Sequence, residues 1–321
     1  MGARPFRCGL EELGNGLYAW MQPDGGWGWS NAGFVRDGED SLLVDTLFDE
    51  PLTAVMLEAL ERATGIAAER IHALVNTHAN GDHTHGNALV PNAEVIASAA
   101  AAREMAEYPP ALLAKLKTGG AAGALGEAGE FFAEIFARFD FAHARGRAPT
   151  RTFDQRLDLT IGGKAVELHM LGPAHTAGDV LVWIPGDRTV FTGDLLFAGL
   201  TPVMWSGPVG NWLAAADRIL ALGAENVVPG HGPMADTAGV RGMQEYLRYV
   251  DREARQRFEA GMPLERAIFD IALGEYRNWL DAERLAVNVA SLYREYRGDP
   301  AAPDAIGMFG LMARLRRAQR R

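Results

Sequence analysis

Apolar and polar residues alternate in short runs up to about residue 98 and again between 151 and 235, whereas elsewhere apolar residues recur three and four apart. The alternating runs predict strands at 16–21, 31–36 and 41–45, the last two joined through Arg36-Asp37-Gly38-Glu39-Asp40, whose Asp-Gly pair marks a tight hairpin. Leu52, Val55, Met56, Ala59 and Leu60 then fall at helical spacing and predict a surface helix over 50–64. Short apolar runs at 71–75 and 93–97 predict further strands. Strand, helix, strand is the rhythm of an α/β layer protein.

That rhythm lapses over 99–141, where the pattern is helical, with breaks expected at Tyr108-Pro109-Pro110 and Thr118-Gly119-Gly120. Phe131, Phe132, Ile135, Phe136 and Phe139 make one apolar helical face, either core or the greasy wall of an active site. Alternation returns at 152–161 and 164–170, two strands joined at Gly162-Gly163, and strands follow at 180–184, 189–191 and 226–229 with a helix at 210–222. From 236 onward the chain reads as helical, interrupted by Gly298-Asp299-Pro300-Ala301-Ala302-Pro303 before a last amphipathic segment. The expected organisation is a main domain over 1–235 with a helical insertion or cap at 99–150. A C-terminal helical extension at 236–321 would then cap the site or mediate a homodimer.

Composition narrows the class. An apolar fraction of 48% and a charged fraction of 22% describe an ordinary globular chain. The net charge of -10 argues against nucleic-acid binding, which depends on cationic side chains neutralising phosphates. Five arginines between Arg314 and Arg321 are read as a frayed tail or a solvated helix end. Cys8 is the single cysteine, so no intramolecular disulfide forms. No 18-residue apolar run occurs and the basic start lacks an apolar stretch behind it, so no membrane association is expected and the reading is cytoplasmic.

The candidate chemistry lies at strand ends. Residues 76–87 hold three of the eight histidines, His78, His83 and His85, together with Asp82. Imidazole and carboxylate crowded on one loop favour a divalent transition metal, since calcium and magnesium prefer oxygen. Three later strand ends deliver His175, Asp194 and His231, and an earlier one ends at Asp45. The loop 24–30 carries Trp27 and Trp29 between glycines, either as an apolar flap over a substrate or packed on a neighbouring loop. Trp205 follows Asp194 closely enough to line a pocket.

Taken together, Asp45, the loop from His78 to His83, His175 within G-x-x-H-T-x-G-D-like surroundings, the T-G-D Asp194 and the P-G-H-G His231 resemble the metallo-β-lactamase fold superfamily, over about residues 10–235. The resemblance implies a four-layer αββα sandwich with metals at one edge between two sheets. It implies a first metal site of His78, position 80 and His175, and a second of Asp82, His83 and His231, bridged by Asp194. The sequence departs from the family at two places: Asn80 stands where histidine is usual and His85 where glycine is usual.

An amide oxygen is a poorer donor to zinc than imidazole, so the first site is expected to be weaker. His85 is expected to be a replacement ligand or a substrate-facing acid or base, and Asn80 and Asp45 to be ligands or supports. The leading functional reading is a metal-dependent hydrolase holding one or two zinc ions, with iron or manganese as alternatives. In it Asp82 orients the nucleophile and His85 serves the leaving group. The tryptophans and the phenylalanine-rich insertion favour a lipophilic or aromatic small-molecule ester, thioester or lactone. Two other readings are an iron-dependent oxygenase built on His78, His175 and Asp194, and a non-catalytic ligand-binding member of the fold.

Overall fold

The computed structural model describes residues 7–299 and 304–320. Among them, the first half of the chain builds one sheet. An antiparallel meander of β1 (Gly9–Gly14), β2 (Leu17–Met21), β3 (Ala32–Asp37) and β4 (Asp40–Val44) leads through helix α1 (Glu50–Thr64) into parallel β5 (Ala73–Val75). The short helix α2 (Gly81–Thr84) precedes β6 (Glu94–Ser98), and α3 (Ala99–Glu107), α4 (Pro110–Ala121) and α5 (Gly126–Ile135) intervene before β7 (Arg151–Phe153) closes the sheet. Strands β8 (Arg156–Ile161), β9 (Lys164–Met170), β10 (Val180–Ile184), β11 (Thr189–Phe191) and β12 (Asn226–Val228) form a second sheet in the order β12-β11-β10-β9-β8. Helix α6 (Val209–Leu222) lies between its last two strands. Helices α7 (Thr237–Glu259), α8 (Leu264–Asp270), α9 (Leu285–Arg297) and α10 (Ala305–Gln319) follow.

The period-two alternation explains the layering. Leu17, Ala19, Met21, Leu42 and Val44 project from the first sheet against Val166, Leu168, Val180 and Val182 of the second. Their neighbours point the other way: Tyr18, Phe34 and Leu43 pack on Met56, Leu57 and Leu60 of α1, and Leu181, Trp183 and Val190 pack beneath α6, α7 and α9. Helix, sheet, sheet, helix is therefore the αββα sandwich of an α/β protein, and one apolar core runs unbroken from the second sheet into the C-terminal helices. Each fully buried aliphatic side chain contributes roughly 1.5–3 kcal/mol to this stacking.

Helix α1 occupies the expected residues because its ends are written in the sequence. The Asp49 carboxylate caps Leu52 N–H, Pro51 sits in the first turn, and Gly65 at φ 75° ends the helix.

Other boundaries differ from expectation. β1 was not anticipated, because its residues are mostly half-buried and carry little contrast between faces. The run at 152–161 is two strands, β7 in the first sheet and β8 in the second, with the chain crossing between sheets at Asp154-Gln155. Alternation alone cannot register such a change of sheet, since the period is the same on both sides. The Gly119-Gly120 pair does not break α4. Gly120 instead lets α4 approach α5 closely, as a Cβ there would stand 2.1 Å from the Gly129 carbonyl oxygen. Phe136 and Phe139 lie beyond the end of α5, yet they still join Phe48, Phe132 and Phe141 in one aromatic cluster.

The arginines of α10 are not a frayed tail either: Arg314, Arg316 and Arg317 pair with Glu265, Glu134 and Glu127. Arg321, and residues 300–303 of the expected break, lie outside the described residues. No helix among the described residues is long and apolar enough to cross a membrane.

Candidate metal centre

The carboxyl ends of β4, β5, β9, β11 and β12 meet at one edge of the sandwich, and each is followed by a residue of the site. Two groups of ligand atoms result: His78, His175 and Asp194 in one, Asp82, His83 and His231 in the other. Asp194 joins them. Its Oδ2 lies 3.3 Å from His175 Nε2, 3.5 Å from His231 Nε2 and 3.8 Å from His78 Nε2, while its Oδ1 lies 3.2 Å from His83 Nε2. His231 Nε2 is also 3.2 Å from Asp82 Oδ2.

Each histidine is oriented through its other ring nitrogen. His175 Nδ1 donates to the Val203 carbonyl at 2.6 Å and His231 Nδ1 to the Gly25 carbonyl at 3.0 Å. His83 Nδ1 meets Asp45 Oδ2 at 2.9 Å. The Thr77 hydroxyl gives its proton to Asp45 and so accepts from His78 Nδ1 at 3.1 Å. Every Nδ1 is thus engaged and every Nε2 turned inward, the arrangement that fixes metal-binding tautomers.

The inward atoms make the test of fit. His78 Nε2, His83 Nε2, His175 Nε2 and Asp194 Oδ1 are buried without a hydrogen-bond partner. Four orphaned donors and acceptors converging on one point would be costly in a finished protein core. Coordination to a divalent cation satisfies them together, and a set of imidazoles and carboxylates suits a transition metal.

The electrostatics state the same demand. Burial opposes charge on both acids, yet Asp194 is held well below the usual carboxylate range by His231, His83, His175 and His78. Asp82 is likewise held low against burial by its hydrogen bond to His231 and by the charges of His83 and His231. Burial works against His83 and His231 as well, but neighbouring carboxylates push His83 well up and His231 up to about 9. His78 and His175 are pushed down, chiefly by burial. The two carboxylates are thus held as anions by the imidazoles around them.

The backbone is shaped to the site. Gly230 precedes His231 because a Cβ there would stand 2.0 Å from Asp194 Oδ1, and Gly193, at φ 49°, leaves no room for one against the Thr77 hydroxyl. Asp45 itself sits in the left-handed region at φ 63° and receives Thr77 N–H at 2.7 Å. Burial raises its pKa, partly offset by His83 and Thr77. It supports His83 rather than facing the ligands. Ser30, Asn76 and Thr46, not singled out from the sequence, hold the backbone carbonyls of Asp82 and His83, and Asn87 braces the Thr46 and Asn76 side chains. The carbonyls of Gly25 and Val203 were invisible to sequence reasoning, since every residue has one.

A cavity of about 910 Å³ opens from this centre. Asn80, Asp82, His175, Asp194 and His231 line it, as do Trp27 and Trp205. Trp27 packs against Phe136 and Phe309 with Arg284 over its ring, and Trp205 also meets Phe309. Trp29 instead packs on Phe139, 4.8 Å between ring centres, and is not among the lining residues. His85 joins neither ligand group and does not line the cavity. It is buried against Phe48 and Phe141, and burial pushes it down to about 4. This placement lends no support to the expected roles of replacement ligand or substrate-facing acid or base.

Five strand-end segments converging on paired ligand clusters define a class of protein. A family model described as the metallo-beta-lactamase superfamily matches residues 25–231, and the chain belongs to that superfamily, whose members are mostly metal-dependent hydrolases. Over 164 residues it is 29% identical to 2,4-dinitroanisole O-demethylase subunit alpha of Nocardioides sp., covering 49% of this chain and 42% of that protein. Over 227 residues it is 22% identical to the beta-lactamase-like protein 2 homolog of Caenorhabditis elegans, covering 71% of this chain and 63% of that one. It thus spans less than two thirds of either relative. Among solved structures, the inverting sec-alkylsulfatase Pisa1 from Pseudomonas sp. is similar at a TM-score of 0.67 and 16% identity, over 91% of this chain and 50% of that one. At that identity the likeness is one of fold alone.

Proposed function

We propose that this protein is a metal-dependent hydrolase acting on a lipophilic or aromatic small-molecule ester, thioester or lactone. The observation that carries the substrate class is the cavity, whose base is the ligand cluster and whose wall includes an apolar side of Leu112, Leu113, Leu116, Phe132, Phe136 and Phe309 besides charged residues such as Glu104 and Arg294. Such a wall favours an apolar group by about 25 cal/mol per Å² buried. Two relatives support the apolar side by their names, one a demethylase of an aromatic ether and one a linear primary-alkylsulfatase of Pseudomonas sp..

His78, His175 and Asp194 would hold one ion, and Asp82, His83 and His231, with Asp194 shared, another. A bound divalent ion lowers the pKa of water towards about 7 and polarises the bond to be cleaved. Asp82 is the ligand carboxylate more open to the cavity, its side chain 13% exposed against 4% for Asp194. It accepts a hydrogen bond from the attacking water and orients it. Phe197, stacked flat on His231 at 5.1 Å, limits access of bulk water from that side. Water oxygen bonds to the acyl carbon, the carbon–oxygen or carbon–sulfur bond breaks, and the leaving atom departs with a proton.

The test is a panel of naphthyl and nitrophenyl esters, aryl thioesters, lactones and a secondary alkyl sulfate, assayed with added zinc. Turnover of an ester, thioester or lactone that a chelator abolishes and zinc restores is the expected result. Silence across those three groups overturns the substrate class. A second reading has one observation in its favour: His78, His175 and Asp194 form a two-histidine, one-carboxylate group that suits iron(II) and oxygen chemistry. Metal analysis with oxygen-uptake assays separates the two, and stoichiometric zinc without oxygen consumption excludes the second.

A further inference from the structure

Residues 201–205 lie in neither strand nor helix, and the first four of them are buried. Buried carbonyls in such a segment need partners that no sheet ladder supplies. Helix α9 and its N-cap residue supply them. Arg284 Nη1 donates to the Thr201 carbonyl at 2.9 Å, Asn288 Nδ2 to that of Pro202 at 2.9 Å, Ser291 Oγ to that of Met204 at 2.5 Å and Arg294 Nη2 to that of Trp205 at 2.9 Å. Steps of four, three and three residues put these donors on one helical face. The carbonyl left over in the run is that of Val203, and it receives His175 Nδ1 at 2.6 Å.

Asn288 is the centre of this row. Besides its bond to Pro202, its Oδ1 accepts the Met204 N–H at 2.8 Å and its Nδ2 gives a second proton to the Tyr246 hydroxyl of α7 at 3.0 Å. The side chain is buried with both amide protons and its oxygen engaged, so its orientation is set, and it grips the backbone on either side of Val203. Apolar packing alone is non-directional and would dock α9 without aiming that carbonyl. The segment also holds His175 from behind, since the Trp205 and Ser206 amides donate to the His175 carbonyl at 3.0 and 3.1 Å.

We infer that α9, which lies outside the residues matched by the superfamily model, is a positioning element of the metal centre. Asn288 is its positioning residue: it holds the Val203 carbonyl where that oxygen keeps the His175 proton on Nδ1, leaving Nε2 as the donor to an ion. The inference rests on the reading of the centre as a metal site but not on the hydrolytic chemistry.

The experiment uses the full chain loaded with zinc and two readouts: the proton resonance of His175 Nδ1–H, assigned by its absence in H175A, and zinc affinity by competition with a chromophoric chelator. N288A is compared with V289A, since Val289 is buried in the same helix and offers only apolar packing. N288A is expected to shift or broaden the resonance and to weaken zinc binding by about 10-fold, the lower end of what loss of an outer partner costs. V289A is expected to lower the Tm with both readouts unchanged. An unmoved resonance and affinity in N288A would overturn the inference, as would V289A reproducing both changes, which would reduce them to a general loosening of the helix. If circular dichroism shows that N288A does not fold, S291A, which removes one hydroxyl from the row, is judged by the same two readouts. A chain that binds none of zinc, cobalt, iron or manganese sinks the metal reading instead, and in it the same resonance, kept or lost in N288A, still decides whether Asn288 positions the ring.

Discussion

Asp45 is a residue whose work is done out of sight of the cavity. Buried at the end of β4, it accepts from Thr77 twice and holds His83 by Nδ1. A neutral amide of the same shape can fill that space but cannot polarise the imidazole. D45N is therefore expected to lower metal affinity by about 10–100-fold, measured by chelator competition, with the fold intact by circular dichroism. Unchanged affinity would reduce Asp45 to a structural contact. At the residue scale the candidate ligands were legible as chemistry. His78, Asp82, His83, His175, Asp194 and His231 carry side chains whose chemistry is rare in such company, and all six converge. His85 has the same chemistry, but its neighbours Phe48 and Phe141 were unknowable from its own segment.

At the scale of elements, the strands supply the ligands while α4, α5 and α10 supply the wall. Phe309 of α10 reaches across to Trp27, Phe131, Phe132 and Trp205, so one side chain ties the C-terminal helix to the insertion and to two loops. F309A is expected to raise KM for the bulkiest apolar substrates of the panel more than for the smallest, with metal content unchanged. An equal effect on all substrates would place Phe309 outside the specificity wall. Capped elements such as α1 were legible because their ends depend on local bonding. β7 and β8 were not, since strand period says nothing about which sheet a strand joins. Nor was the unbroken α4, whose glycine serves a contact with another helix.

For the whole molecule, the centre is a store of buried charge that ties the two sheets together. Ligands come from both, His78 and Asp82 after β5 and His175, Asp194 and His231 from the loops of the second sheet. A cation that binds only this assembled state stabilises it by mass action, about 2.7 kcal/mol when its concentration is 100 times its Kd. Chelation is expected to lower the Tm accordingly and readdition of zinc to restore it, read by calorimetry. A Tm indifferent to chelator in protein shown to have lost its metal would mean that the site does not couple the sheets.

The sequence by itself determined the alternation that makes two sheets, the caps that end α1 and the ligand chemistry at the strand ends, because each depends on residues near one another in the chain. Only the tertiary structure decided which of those groups meet. It placed Asn80 on the cavity wall, buried His85 among phenylalanines, and brought α10 against α5 to complete an apolar wall from Phe132 and Phe309. Contacts between distant segments are fixed by packing of whole layers, and no local pattern records them.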